Sequence, residues 1–227
     1  MYHRRVVEIL FLCTRRPGLS RAEYGRHLLE RHAPLALRHH ASLRGYRVSL
    51  VEEGLDGAPE LDSANALAFD SLADFESRLY DSAEGERLVT EDHARFLGGA
   101  SGYAGTPRGV RRAGAGAWGW LCALQRRPEH PPERFAAALE SALAPEILAS
   151  LPEAERVSLL PVERKLFPPE APDWDVFLEL GFADPARRPL HPFASPDCGV
   201  SLLRRVGALC ARTACWSVRQ HVLRPAS

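Results

Sequence analysis

RRPGLSRAEYGRHLLERHAPLAL, residues Arg15 to Leu37, reads as a strand end, a tight turn, a capped helix and a break. Pro17-Gly18 is a turn dipeptide. Ser20 is a favoured N-cap, and Glu23 three residues on completes a capping box. Tyr24, Leu28, Arg31 and Leu35 follow at helical spacing, the arginine stem being able to cover apolar surface. Pro34 has no N–H to give the carbonyl of Glu30, and its ring crowds that carbonyl, so the helix is expected to kink there. His27 and His32 precede the kink.

The stretch occurs twice. Arg126-Arg127-Pro128 repeats Arg15-Arg16-Pro17 at an offset of 111 (126 − 15). At that offset Phe135 falls on Tyr24, Leu139 on Leu28, Ala144-Pro145 on Ala33-Pro34, and Leu148 on Leu37. Val157 and Leu159 fall on Tyr46 and Val48 of the next predicted strand. One ungapped offset from turn to helix to strand argues for internal duplication. His27, however, falls on Ala138 and His32 on Leu143. The second copy keeps the scaffold and loses both imidazoles, which places any chemistry in the first.

The run Arg15-Arg16-Pro17-Gly18-Leu19-Ser20, Glu23-Tyr24, His27 and His32-Ala33-Pro34-Leu35 resembles the EthD family, a branch of the dimeric α+β barrel superfamily. Phe69-Asp70-Ser71-Leu72-Ala73-Asp74-Phe75-Glu76 is similar to the family as well. The resemblance covers roughly the first hundred residues. It implies an α+β fold in which two ferredoxin-like units pack sheet to sheet, here as an internal pseudo-dimer within one chain that can dimerise further. It also implies acid–base chemistry on a polyketide-like or aromatic carbonyl substrate: cyclisation, dehydration, decarboxylation or isomerisation. Some members of the family are non-catalytic binding or accessory proteins, which is the alternative. Some α+β barrel relatives bind haem through a histidine, but nothing in this sequence specifies it, and no cofactor is expected.

The totals bound these readings. The 227 residues are 45% hydrophobic and 26% charged, with net charge +0. No basic field marks a nucleic-acid partner. No stretch approaches the eighteen or so apolar residues of a membrane span. Five cysteines, Cys13, Cys122, Cys198, Cys210 and Cys215, include no CxxC pair and read as reduced, buried thiols of a cytoplasmic protein, with no metal expected. The apolar N-terminal run is interrupted by Glu8 and reads as a core strand rather than a signal peptide. No P-loop, GxGxxG junction, HExxH or nucleophile elbow is present.

In order, the pattern predicts strands over 5–14, 43–52 and 64–70, helices over 20–40, 72–79 and 82–96, and a glycine-rich fourth segment over 97–105. That succession, β-α-β-β-α-β, is ferredoxin-like. Gly98 to Gly116 reads as a linker or loose crossing strand, which puts a first unit at 1–112 and a second at 113–227. The second copy is predicted as strands 118–126, 157–166, 175–182 and 212–223 with helices 132–150 and 196–210.

Histidine titrates where proton transfer at neutral pH needs it. His32, next to the break, is the first candidate for general acid or base. His27 is five residues away and would point about 140° from it on a regular helix, so it either orients or packs. Tyr46 either donates to a ligand oxygen or fills the core. Tyr24 shares the face of His27 and is a candidate for substrate contact, as is His93 from the second helix. Glu8 is a third candidate for substrate contact; as a charge in a buried strand it needs a partner: a histidine, Arg47, or water at a strand end. Asp70 is read as the cap of the helix at Leu72, and His39 and His40 as solvated at a helix end. Arg15, Arg16, Arg126 and Arg127, present in both copies, suggest structural pairing with loop carboxylates.

Overall fold

The computed structural model describes residues 6–55, 57–112, 116–193 and 199–225. The first half runs β1 (Val7–Arg15), α1 (Arg21–His27), a π-helical turn (Leu28–His32), α2 (Ala33–His39), β2 (Gly45–Gly54), β3 (Ser63–Phe69), α3 (Leu72–Arg78), α4 (Ala83–Phe96) and β4 (Leu97–Gly105). A short β5 (Arg108–Arg112) follows. The second half repeats the plan with β6 (Trp118–Arg126), α5 (Pro132–Ala138), a π-helical turn (Leu139–Leu143), α6 (Ala144–Ser150), β7 (Arg156–Pro161), β8 (Arg164–Phe167), β9 (Val176–Phe182), α7 (Gly199–Leu209) and β10 (Cys210–Arg224). Ala113, the expected boundary residue, and residues 196–198, expected to open the last helix, lie outside the described residues.

Each half is a four-stranded antiparallel sheet, ordered β2-β3-β1-β4 in the first and β7-β9-β6-β10 in the second. The two join edge to edge where β10 pairs with β2. On the other side β4 runs into β5 and β7 into β8, and these form one antiparallel seam: Gly102 opposite Phe167, Ala104 opposite Arg164, Arg108 opposite Leu159 and Arg112 opposite Arg156. The sheet therefore closes into a barrel, which leaves few unpaired edge groups. The segment 98–116, expected as a linker or loose crossing strand, is thus strand over most of its described length. Its glycines serve close approach rather than flexibility. A Cβ on Gly105 would sit 2.0 Å from the carbonyl oxygen of Pro161 across the seam, and one on Gly98 would sit 2.3 Å from that of Arg15.

Side chains alternate between the two faces of each strand, and three apolar clusters result. Leu10, Leu12, Phe177, Trp216 and Val218, drawn from both halves, fill the barrel interior. Ile9, Tyr46, Val48 and Phe69 face the helices of the first half. Val157, Leu178, Leu180 and Phe182 face those of the second. Among the described residues no helix is long and apolar enough to cross a membrane.

Two equivalent ion pairs tie each turn to its own half. Arg15 pairs with Asp62, and Arg126 with Asp175, as the repeated arginines suggested. Ser20 and Glu23 form the expected capping box. At Leu72, in contrast, the cap is Ser71, whose Oγ accepts from the backbone N–H of Asp74, while Asp70 pairs with Arg44. The four described cysteines are free and buried.

Candidate active site

The first helix does not simply kink at Pro34. It widens into one π turn, in which the N–H of Ala33 bonds the carbonyl of Leu28, five residues back. Proline explains why: its ring would clash with the carbonyl four residues earlier, and adding a residue to the turn relieves the clash. The second half does the same before Pro145, with Ala144 bonding Leu139.

The π turn decides where the imidazoles point. On a regular helix His27 and His32 diverge, but residues five apart share one side of a π turn. Both reach Asp92 of α4: His27 Nε2 lies 2.9 Å from Oδ1 and His32 Nδ1 lies 3.1 Å from Oδ2. Asp92 is only 6% exposed. Burial opposes its charge, but the hydrogen bonds from His32 and His27 outweigh that and hold its carboxyl below the usual range. A carboxylate accepts only, so His32 donates from Nδ1 and keeps Nε2 as its basic nitrogen.

His32 stands on the wall of a cavity of about 320 Å³ between the sheet and the helices of the first half, within the size range of small-molecule sites. Phe11, Phe75, Phe96 and Phe167 give it an aromatic lining, and Tyr46, Asn65, His40 and His93 add polar atoms. Phe167 belongs to β8, so the second half supplies part of the wall, its ring centroid 5.9 Å from that of Phe11. His93 packs on His32 at 4.6 Å between ring centroids. Burial, with help from the neighbouring His32, lowers its pKa to about 4. His40 behaves alike: burial, then His32, His93 and His39, lower it to about 4, with Asp81 opposing.

Two expected contacts are corrected. Tyr24 does not reach the cavity. Its hydroxyl bonds Ser63 Oγ at 2.7 Å and its ring packs on Phe96, because it lies one turn before the widened segment. Glu8 faces the barrel interior, where Arg47 stands 3.5 Å away, on the opposite side of the sheet from His32. His27 meets Asp92 but stacks on Phe96 rather than lining the cavity. His39 and His40 are not solvated: His40 is 7% exposed, and His39 pairs with Asp81 at 3.1 Å. Tyr46, His32 and His93 do line the cavity.

Asp92, Asn65 and the buried place of His40 escaped the sequence reading. Asp92 had a legible signal, since Val89, Asp92 and Phe96 share the buried stripe of α4, and a carboxylate on such a stripe requires partners.

The second half shows what the cavity would be without its polar groups. Strand pairing sets the later elements at an offset of 113: Leu67 faces Ile9 as Leu180 faces Trp120 (180 − 67). On that footing Leu143, Leu151 and Val157 replace His32, His40 and Tyr46, while Leu178 and Val206 replace Asn65 and His93. All five are packed in the apolar cluster of the second half. Asp92 corresponds to Arg205, which pairs with Glu146.

Residues 16–100 match the family model of the EthD domain. The first half of the chain is therefore similar to the EthD domain. The cavity and its histidines lie within the matched segment, apart from Phe11, Cys13 and Phe167 of the wall. Solved structures similar to the chain share its fold. An anthrone oxidase-like protein matches with a TM-score of 0.64 and 14% identity, covering 100% of this chain and 96% of that one. A candidate monooxygenase from Lactobacillus acidophilus NCFM matches at 0.59 and 11%, covering 96% and 99%. A chlorite dismutase variant from Candidatus Nitrospira defluvii matches at 0.51 and 11%, covering 94% and 91%. No curated protein matches the sequence.

The buried histidines predict an acid-sensitive fold. Unfolded imidazoles titrate near 6.5, whereas His40 and His93 titrate at about 4 in the folded chain. Between those values the unfolded state binds more protons, so stability is complete above pH 6.5 and is lost as pH falls toward 4. His40 contributes on the order of 3 kcal/mol to that loss. Thermal melts of His40→Leu across this range should show a shallower decline than wild type. An unchanged slope would mean that His40 is protonated in the fold at no cost.

Proposed function

We propose that the chain is an enzyme that moves a proton at a carbon next to a carbonyl in a small, flat, aromatic or polyketide-like substrate, with His32 as the proton-transfer group. The observation that carries this reading is the Asp92 carboxylate held between two imidazoles, one of which, His32, borders an aromatic cavity. Asp92 fixes the tautomer of His32 and stabilises the imidazolium that forms when Nε2 takes a proton. His27 positions Asp92. Tyr46, whose hydroxyl burial keeps protonated, can donate to the enolate oxygen. The aromatic walls orient the substrate and exclude water. The two halves form one working unit in this reading, the first carrying the proton-transfer group and the second closing the barrel and supplying Phe167.

The anthrone oxidase-like neighbour favours a second reading of the same site. A carbanion made by His32 would add dioxygen, and the resulting hydroperoxide would lose water to leave a quinone carbonyl. Anthrone, a flat carbon acid whose methylene is conjugated with its carbonyl through the two rings, serves to test both, with smaller aryl ketones for a carbon directly beside a carbonyl. With it in anaerobic D2O, exchange of the methylene protons, followed by NMR, should run faster with protein than in buffer alone. Oxygen uptake on admitting air separates the second reading from the first. No exchange above the buffer rate with anthrone or with smaller aryl ketones would remove both.

A further inference from the structure

We infer that Asn65 and His40 are the specificity-determining residues of the cavity, and that they select a substrate carrying a free phenolic hydroxyl and a separate carbonyl oxygen. The inference rests on the proposed use of the cavity as a ligand site and adds what the ligand must present there.

Two observations point to it. Asn65 is 7% exposed and its side chain borders the cavity. Its Nδ2 donates to Cys13 Sγ at 3.5 Å, while Oδ1 is buried without a hydrogen-bond partner. His40 is equally buried and borders the same cavity, and neither ring nitrogen has a hydrogen-bond partner. Buried polar atoms are nearly always paired, and leaving one unpaired costs the desolvation of that atom. Asn65 sits on β3 among Ala64, Ala66 and Leu67, where a leucine would pack, as Leu178 does at the equivalent place in the second half. A strand that tolerates this polar atom has a use for it.

The chemistry of the two groups states what fills the gap. An amide oxygen accepts, so its partner must be a donor that is stable in an aromatic cavity, which a phenolic O–H is. A neutral imidazole offers one N–H and one lone pair, and its N–H suits a carbonyl oxygen. Charged ligands fit poorly, since the wall offers no Lys or Arg to an anion and no Asp or Glu to a cation. A site built on such groups rejects analogues that lack the matching atom far more strongly than an apolar pocket rejects a change in size.

Equilibrium binding tests this without turnover. The probes are 6-acetyl-2-naphthol, its O-methyl ether, and 2-naphthol, which lacks the carbonyl, each titrated by fluorescence or calorimetry at pH 7.5. Wild type should bind 6-acetyl-2-naphthol about tenfold tighter than the ether, the order of one buried hydrogen bond. Asn65→Leu should erase that preference while binding the ether no less tightly. His40→Leu should erase the advantage of 6-acetyl-2-naphthol over 2-naphthol and keep the hydroxyl preference. Circular dichroism controls for folding, and Asn65→Ala replaces Asn65→Leu should the latter misfold. His32→Ala should retain both preferences. A hydroxyl preference that survives in the Asn65 variants, or none in wild type, overturns the inference while leaving proton transfer by His32 standing. Failure of every probe to bind wild type overturns the inference and the reading of the cavity together.

Discussion

His32→Ala should lower turnover by about 10²–10⁴-fold, the usual contribution of a positioned acid or base. Asp92→Asn should fall in the same range. An asparagine keeps the shape of Asp92 but can no longer accept from both imidazoles or stabilise the imidazolium, so His32 loses the tautomer that leaves Nε2 basic. His27→Gln should cost less, because Asp92 retains its 3.1 Å bond from His32 Nδ1. The check is turnover beside thermal stability. Removing His32 leaves one oxygen of a buried carboxylate without its partner, worth about 1–3 kcal/mol, so some loss of stability is expected and cannot account for a thousandfold loss of rate. Added imidazole should restore part of the activity of His32→Ala and none of that of Asp92→Asn. A His32→Ala protein that turns over at the wild-type rate, or that loses activity only in step with its folded fraction, would give His32 a packing role.

The second large effect lies on the other face of the sheet. Arg47 projects into the barrel interior, between Tyr46 and Val48, which face the helices. Its Nη2 stands 2.7 Å from Glu179 Oε1 of the second half and 3.5 Å from Glu8 Oε1 of the first. Arg156 lies 3.7 Å from the other oxygen of Glu179 and bonds Gln220. Burial opposes the charge on Glu179, but Arg47 and Arg156 overcome it and hold the carboxyl below its usual range. Arg47→Met should therefore destabilise the chain by about 3–5 kcal/mol, because it takes the nearest cation from the buried Glu179 and from Glu8 together. That corresponds to a melting point lower by about 10 °C for a chain of this size. The double variant Arg47→Met, Glu8→Gln should recover part of the loss, since a neutral amide costs less to bury than a carboxylate deprived of Arg47, while Glu179 keeps Arg156. A change below about 1 kcal/mol in Arg47→Met would mean that water reaches the network and screens it.

Much of this molecule could be read along the chain, and the reasons are local. The capping box of Ser20 and Glu23, the break announced by Pro34 just after His32, and the alternation of β2 all act within a few residues. The repeat of Arg15-Arg16-Pro17 at Arg126-Arg127-Pro128 carried the two-part plan, and the absence of histidine at Ala138 and Leu143 set the first half, where the cavity lined by His32 lies, apart from the second. Period and capping depend on neighbours a few residues away, so linear order contains them.

Packing decided what linear order could not. Pro34 announces a break in the helix, but only the relaxed backbone shows a π turn, and that extra residue swings His27 and His32 toward one carboxylate. Asp92 lies 60 residues from His32 in sequence, so their pairing is a fact of how α4 lies against the first helix. The glycines of β4 signal flexibility in isolation, yet Gly98 beside β1 and Gly105 at the barrel seam each admit a neighbouring carbonyl at a distance no side chain would allow. Glu8 is ambiguous as a lone charge and becomes an interior partner of Arg47 only once the sheet closes. Which face of a strand meets which neighbour, and therefore which polar atom is satisfied and which is left unpaired, is set by contacts between distant segments.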